Sequence, residues 1–173
     1  DPFQNRTQAS AFSNPTRCCF AAGEAPSRVN TIDFVTIGTL GNAQDFGDIT
    51  RAISGVFCVA NSIRGVIGGG EFPSSFDTTM DFVTMASKGN AINFGELIEQ
   101  NGTGYRLGGS ASSPVRGCFM GGTNDSPSSN TVYNLIQYIN IMTQGNAVDF
   151  GDLATTHGYV HIGNCSNGHG GLG

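Results

Sequence analysis

A nine-residue motif occurs three times in this chain of 173 residues. It reads Gly-Asn-Ala, any residue, Asp or Asn, Phe-Gly, an acidic residue, then Ile or Leu, and its copies occupy 41–49, 89–97 and 145–153. Three copies that are identical at five positions and similar at three more are not expected by chance, so the chain is built from an internal repeat. The structural positions of this repeat are Gly41, Asn42, Phe46, Gly47, Gly89, Asn90, Phe94, Gly95, Gly145, Asn146, Phe150 and Gly151.

The sequence upstream of each motif predicts a β-strand. Apolar and polar residues alternate through much of 31–37, 79–85 and 136–142, as in a strand with one buried face. A short apolar run ending in glycine precedes each of these segments, and a looser fourth segment follows each motif. Each unit therefore predicts about four short strands, and the returning Phe of the motif predicts a core anchor between layers.

Three arginines set the length of the repeat. Arg17, Arg64 and Arg116 open the equivalent apolar runs, so the unit is about 50 residues long, the size of a kelch-type propeller blade. The sequence thus predicts an all-β fold of three four-stranded repeats, propeller-like and radial or stacked. The predicted boundaries are 1–16 for a partial repeat or exchanged strand, 17–63 and 64–115 for two repeats, and 116–173 for the third repeat with a C-terminal tail.

Three repeats and one partial repeat are fewer than the four blades of the smallest closed propellers. Uncovered strand edges promote association, so a stable protein has to cover them. Three arrangements satisfy this requirement: closure by copies of the chain, donation of an N-terminal strand to a neighbour in a fibre, or membership of a longer protein.

Composition excludes several classes of function. Only 12% of residues are charged, the net charge is −5, and Lys88 is the single lysine, which disfavours binding to nucleic acid or to anionic membranes through a basic patch. No apolar run approaches the ~20 residues of a membrane span. The five cysteines form no Cys-x-x-Cys pair, so most are expected to be buried small apolar residues rather than zinc ligands.

No catalytic residue, cofactor or strong metal site is expected. The Asp-Phe-Gly tripeptide occurs without the other kinase signatures, and there is no Ser-His-Asp set. His157 and His161 would stand about 13 Å apart on a strand, and His169 lies in the predicted tail. The acidic positions of the motif are weak calcium candidates, because two oxygens per copy are too few and local turn bonding explains them better. These positions are Asp45, Asp48, Asn93, Glu96, Asp149 and Asp152.

Two further sets of residues are candidates for surface roles. Asn-x-Ser/Thr sequons make Asn5, Asn101, Asn124 and Asn164 candidates for glycosylation. The equivalent loops 24–30, 71–78 and 123–130 differ in sequence and carry Pro and Ser. Variable loops on a repeated scaffold are typical of a binding surface.

Residues 30–50 and the ending Asn-Cys-Ser-Asn-Gly-His-Gly-Gly-Leu-Gly resemble a repeat of structural proteins from aquatic bacteriophages, notably cyanophages. The resemblance covers about 9–173. It implies a kelch-like structural subunit of a virion tail, fibre or neck, or of a non-viral extracellular filament, with copies of itself or other virion proteins as partners. It transfers no catalytic residue. The alternative is a carbohydrate-binding propeller that recognises a host-surface glycan, and the absence of Trp weakens it.

Overall fold

The computed structural model describes residues 5–126, 129–157 and 165–166. These residues form β-strands joined by turns and loops, and none of them forms a helix long and apolar enough to cross a membrane. The strands are β1 (Ser10–Ser13), β2 (Arg17–Ala21), β3 (Val29–Thr36), β4 (Gln44–Ile53), β5 (Phe57–Ala60), β6 (Arg64–Gly68), β7 (Thr79–Thr84), β8 (Ile92–Glu96), β9 (Gly109–Ser112), β10 (Arg116–Met120), β11 (Thr123–Ser126), β12 (Ser129–Val132), β13 (Leu135–Asn140), β14 (Val148–Asp152) and β15 (Cys165–Ser166).

The all-β prediction is confirmed for the described residues, and two of the sheets are four-stranded and antiparallel. The first sheet has the order β1-β2-β3-β4 and the second β5-β6-β7-β8. The third sheet has the order β14-β13-β10-β9, and β15 adds to the edge of β9 as a parallel strand. Strands β11 and β12 form a separate hairpin. The described sheets stay separate and do not close into a ring.

The registers show which residues of the sheets are equivalent. Arg17 pairs with Thr36 in the first sheet, Arg64 with Thr84 in the second, and Arg116 with Asn140 in the third. The third segment equivalent to 31–37 is therefore 135–141, one residue earlier than the alternation indicated. The first sheet also begins one strand before the predicted boundary at residue 17, because β1 pairs with β2 of its own sheet.

The Phe-Gly pair of each motif forms a β-bulge in the outer strand. In β4 the register passes from Gly47 to Asp45, so Phe46 is the extra residue, and β8 and β14 repeat this irregularity. The glycine after each Phe has a positive φ: 146° at Gly47, 153° at Gly95 and 139° at Gly151. Glycine adopts this conformation without a Cβ penalty, which accounts for its place in the motif.

The hydrophobic core lies in two layers between the sheets. One cluster joins residues of the first sheet, such as Cys19, Ile32 and Phe46, to Cys58 and Ile67 of the second. A second cluster joins the second sheet to the third; its members include Val66, Met80, Phe94, Phe119 and Ile141. Each sheet is too small to bury its own faces, so stability comes from stacking one sheet on the next.

Candidate assembly site

The motif is a joint between adjacent sheets. The N–H of Gly89 donates to the carbonyl of Phe46 (2.8 Å), and the N–H of Ala91 donates to the carbonyl of Asp48 (2.7 Å). The side-chain oxygen of Asn90 accepts a hydrogen bond from the N–H of Asp48 (3.1 Å). The Gly-Asn-Ala start of the second motif thus binds the Phe-Gly-Asp end of the first. The joint between the second and third sheets repeats these three bonds, with Gly145 to Phe94 at 2.9 Å, Ala147 to Glu96 at 2.8 Å, and Glu96 to Asn146 at 3.0 Å.

The backbone of the next motif lies so close to the first two bulge glycines that a side chain would not fit there, which is a second reason for glycine at this position. A Cβ built on Gly47 would overlap the carbonyl of Gly89, and one built on Gly95 would overlap the carbonyl of Gly145. Gly151, at the same position of the third motif, has no described atom within 4 Å of such a Cβ. The third motif therefore has the conformation of a joint without the neighbour that completes it.

A buried charge network strengthens the first joint. The fully buried carboxylate of Asp81 accepts hydrogen bonds from the N–H (3.0 Å) and hydroxyl (2.7 Å) of Thr50 and from the guanidinium of Arg51 (2.7 Å). Arg51 also forms an ion pair with Asp77 and donates to the carbonyl of Thr79. Because Thr50 and Arg51 directly follow the first motif and Asp81 lies in β7, this network ties the first sheet to the second.

The second joint has an uncharged version of this contact. Gln137 occupies the position of Asp81, is also buried, and accepts a hydrogen bond from the N–H of Ile98 through its side-chain oxygen (2.8 Å). In the first sheet the equivalent residue is Asp33, which forms a 3.0 Å ion pair with Arg6 from the N-terminal segment. The position is thus polar and buried in all three sheets.

The arginine that opens the second strand of the first and of the second sheet reaches into the next sheet. Arg17 stacks on the ring of Phe34 and donates to the carbonyl of Met85 (2.6 Å). Arg64 stacks on Phe82 and donates to the carbonyl of Met142 (2.8 Å). Arg116 stacks in the same way on its own sheet, with its guanidinium carbon 4.8 Å from the ring centroid of Tyr138.

The third copy of the core-anchor prediction is wrong. Phe46 and Phe94 are 2% exposed, whereas Phe150 is 56% exposed, because no described residues form a sheet that follows the third. The first sheet lacks a preceding sheet among the described residues, so the opposite face of this sheet is uncovered. Ile37 is 54% exposed, while its equivalents Met85 and Ile141 are fully buried by the sheet that precedes each of them.

The burial of equivalent cysteines also differs between covered and uncovered faces. Cys19 in β2 and Cys118 in β10 are equivalent, but Cys19 is fully buried and Cys118 is partly exposed. Burial raises the pKa of both Cys19 and Cys58 to about 12. Cys18, on the first sheet, is also partly exposed, and burial raises its pKa to a smaller extent. These four thiols are free, so Cys19 and Cys58 act as small apolar core residues.

A charged network links the loops at one end of the sheets. The carboxylate of Glu71 forms ion pairs with Arg28 (2.6 Å) and Arg106 (2.8 Å). Arg28 lies in the predicted binding loop 24–30 and Glu71 begins loop 71–78, so the network fixes these two loops to each other. The third loop, 123–130, comprises β11 and the first half of β12, and residues 127 and 128 between them lie outside the described residues.

The predicted metal and glycosylation candidates are dispersed. Among the described residues, no three His, Cys, Asp or Glu side chains could hold a metal ion together. Glu96 instead accepts a hydrogen bond from the hydroxyl of Thr78 (2.7 Å), and His157 contacts the hydroxyl of Thr155. Asn5 and Asn101 are exposed and Asn124 is half-buried. The candidates that lie outside the described residues are His161, His169 and Asn164.

The first strands of the sheets surround an open cleft of about 460 Å³. Strand β5 lies beside β1, and β9 lies beside β5. The lining is small and weakly polar, and it includes Phe12, Cys18, Cys58, Ser110 and Ala111. It offers no charged side chain for recognising a ligand, which leaves the joint surfaces as the best-defined functional feature.

The chain matches no protein-family model, and no curated protein is significantly similar to it in sequence. The functional assignment therefore depends on the geometry of the joints. Sequence reasoning identified the motif but missed what it binds, because its partners lie 42–51 residues away. The available signal was the Asn at the second position of every copy, a residue able to accept a hydrogen bond from another segment.

Proposed function

We infer that this chain is a structural subunit of an extracellular fibre or of a virion appendage, and that it acts by self-assembly. Its sheets would be three repeats of about 50 residues in a propeller-like array, which partner chains complete. The loops at the end held by Glu71 would then be presented to the surroundings. This assignment combines the resemblance of the sequence to phage structural proteins with the properties of the joints.

The observation that carries the proposal is that two copies of the motif are covered by a following motif, whereas the third copy has no such neighbour among the described residues. The motif makes the same backbone bonds twice inside the chain, and its third copy leaves a large aromatic residue 56% exposed. The third motif has the same bulge as the two packed copies, and exposed aromatic residues on such a strand are typical of association surfaces. The low charge of the chain also lowers the electrostatic repulsion between copies.

Sedimentation velocity and electron microscopy of the purified 173-residue chain test this function. We expect the sedimentation coefficient to rise as the protein concentration is raised from micromolar to millimolar, with ordered rings or filaments of uniform width in the images. A chain that stays monomeric over this range would contradict self-assembly. Specific binding of the monomer on a glycan array would favour the carbohydrate-binding alternative instead.

A further inference from the structure

We propose that the third sheet of one copy binds the first sheet of a second copy through the same joint that connects the sheets within the chain. The inference rests on the proposed self-assembling function and names the surfaces that carry it. The rear face is the uncovered face of the third sheet, comprising Ala111, Arg116, Val148, Phe150 and Gly151. The front face is the uncovered face of the first sheet, comprising the side chains of Cys18, Ile37 and Leu40 and the backbone of Gly41 and Ala43; the Ala43 side chain itself is buried.

The backbones of the two faces complement each other. In both internal joints, two N–H groups of one motif donate to two carbonyls of the motif before it. Gly41 and Ala43 are the equivalent donors on the front face, and they make no such bond to a described residue. The equivalent acceptors on the rear face are the carbonyls of Phe150 and Asp152. A second copy therefore supplies the groups that the internal pattern requires.

The exposed side chains correspond in the same way. Arg17 and Arg64 donate to the main chain at Met85 and at Ile141–Met142 of the following sheet. Arg116 of the rear face is exposed and stacked in the same pose. Its equivalent acceptor on the front face is the carbonyl of Ile37. Docking would also cover Ile37 and Phe150, whose equivalents in the internal joints are buried.

The sizes of the facing residues also match across the proposed contact between copies. Internally, a large residue of the first strand lies against a glycine of the next sheet: Phe12 against Gly65, and Val59 against Gly117. The equivalent residues of the two open faces are Ala111 on the rear and Cys18 on the front. A small residue now opposes a larger one, so the total volume at this contact stays compatible with close packing.

Polarity is exchanged at a third contact. In the first internal joint, Lys88 donates to the side chain of Gln44 (3.3 Å) and lies over the ring of Phe34 (4.8 Å). The equivalent pair across the open faces is Leu40 and Val148, both of which are exposed. An apolar pair thus stands where the first joint has a polar pair and the second joint has Ile92 opposite Gln144. The apolar character of both Leu40 and Val148 favours a second copy of the chain over an unrelated charged partner.

The symmetry of the assembly follows from the joint. The two faces are different surfaces, so the contact is heterologous and propagates head to tail into a ring or a filament. An incoming first sheet places its β1 beside β9, as β5 lies beside β1. Strand β15 occupies that edge through only two residue pairs. It therefore has to leave the edge when the joint forms.

Three single variants of the 173-residue chain test the joint by sedimentation velocity. Phe150→Asp disables the rear face and Ile37→Asp disables the front face. Ile92→Asp is the matched control, because Ile92 is as exposed as Phe150 but lies on the second sheet, outside both faces. We expect each face variant to raise the apparent dissociation constant about thirtyfold or more, as for a central interface residue, while the control assembles like the wild type.

A mixture of the two face variants distinguishes a broken joint from a misfolded protein. Each variant keeps one intact face, so an equimolar mixture should form a dimer and stop there. Failure of the mixture to dimerise, or loss of assembly in the Ile92→Asp control, would overturn the head-to-tail joint. Face variants that assemble like the wild type would overturn the joint but leave self-assembly standing, whereas a monomeric wild type would overturn both.

Discussion

Phe46 and Phe150 occupy the same position of the same motif, yet one is buried in the core and the other faces solvent. Their sheets agree in strand order, in the bulge and in the positive φ of the following glycine. The difference is the neighbour, since only Phe46 has a following motif packed on it. The motif therefore encodes half of an interface, and the burial of its residues depends on a second motif.

The largest effect is expected where the first joint contains a buried charge. Arg51→Met would leave the carboxylate of Asp81 without its cation, and loss of one partner from a buried ion pair costs about 3–5 kcal/mol. Thr155→Met, at the equivalent position after the third motif, should change stability by less than about 0.5 kcal/mol because Thr155 is exposed. Urea denaturation of both variants checks this difference. Equal losses would contradict the assignment of the charge network to a closed joint.

Truncation of the motif phenylalanines compares the covered and uncovered faces directly. Phe46→Ala and Phe94→Ala should each lower the free energy of unfolding by about 3–5 kcal/mol, the usual cost of removing a buried phenylalanine. Phe150→Ala should cost the dilute monomer less than about 1 kcal/mol, since much of that ring is already in water. Denaturation at low protein concentration measures all three. A similar loss for Phe150→Ala would mean that its ring is covered within the monomer.

Substitution of the bulge glycines also compares the internal joints with the uncovered face of the third sheet. Gly47→Ala and Gly95→Ala place a Cβ against the backbone of the next motif, whereas Gly151→Ala has only the conformational cost that all three share. We expect the first two substitutions to destabilise the monomer by about 1–3 kcal/mol more than the third, the range for overpacking. Thermal unfolding of dilute protein tests this order. Gly151→Ala should nevertheless weaken assembly, which sedimentation of the same sample would reveal.

A smaller effect is expected from alkaline pH. The pKa of Cys58 in the folded state is raised to about 12 from an ordinary value of 9.0. Since the unfolded thiol ionises first, burial of this group contributes stability that is complete below pH 9 and is lost as the pH rises from 9 toward 12. Urea midpoints measured across that window should fall in the wild type. They should fall less in Cys58→Ala, and an identical slope in both proteins would contradict this source of the effect.

Sequence reasoning reached the strands because their alternation and their glycine ends are local signals. It predicted an all-β chain with four-stranded sheets, and it placed the third strand segment one residue late because Leu135 and Ile136 are both apolar. The burial of Asp81 could not be predicted, since its partners Thr50 and Arg51 are 31 and 30 residues away. The exposure of Phe150 was missed for the same physical reason: burial depends on a neighbouring sheet, and the motif looks the same with or without it.

The central claim, that identical motif surfaces are covered inside the chain and open at its two ends, is tested most directly by thiol alkylation with peptide mapping at several protein concentrations. We predict that Cys19 and Cys58 stay protected at every concentration. Cys18 lies on the uncovered side of the first sheet and Cys118 on the uncovered side of the third. Both should react in dilute protein and become protected together as assembly proceeds. Equal reactivity of Cys19 and Cys118, or labelling of Cys18 and Cys118 that does not change with concentration, would contradict the claim.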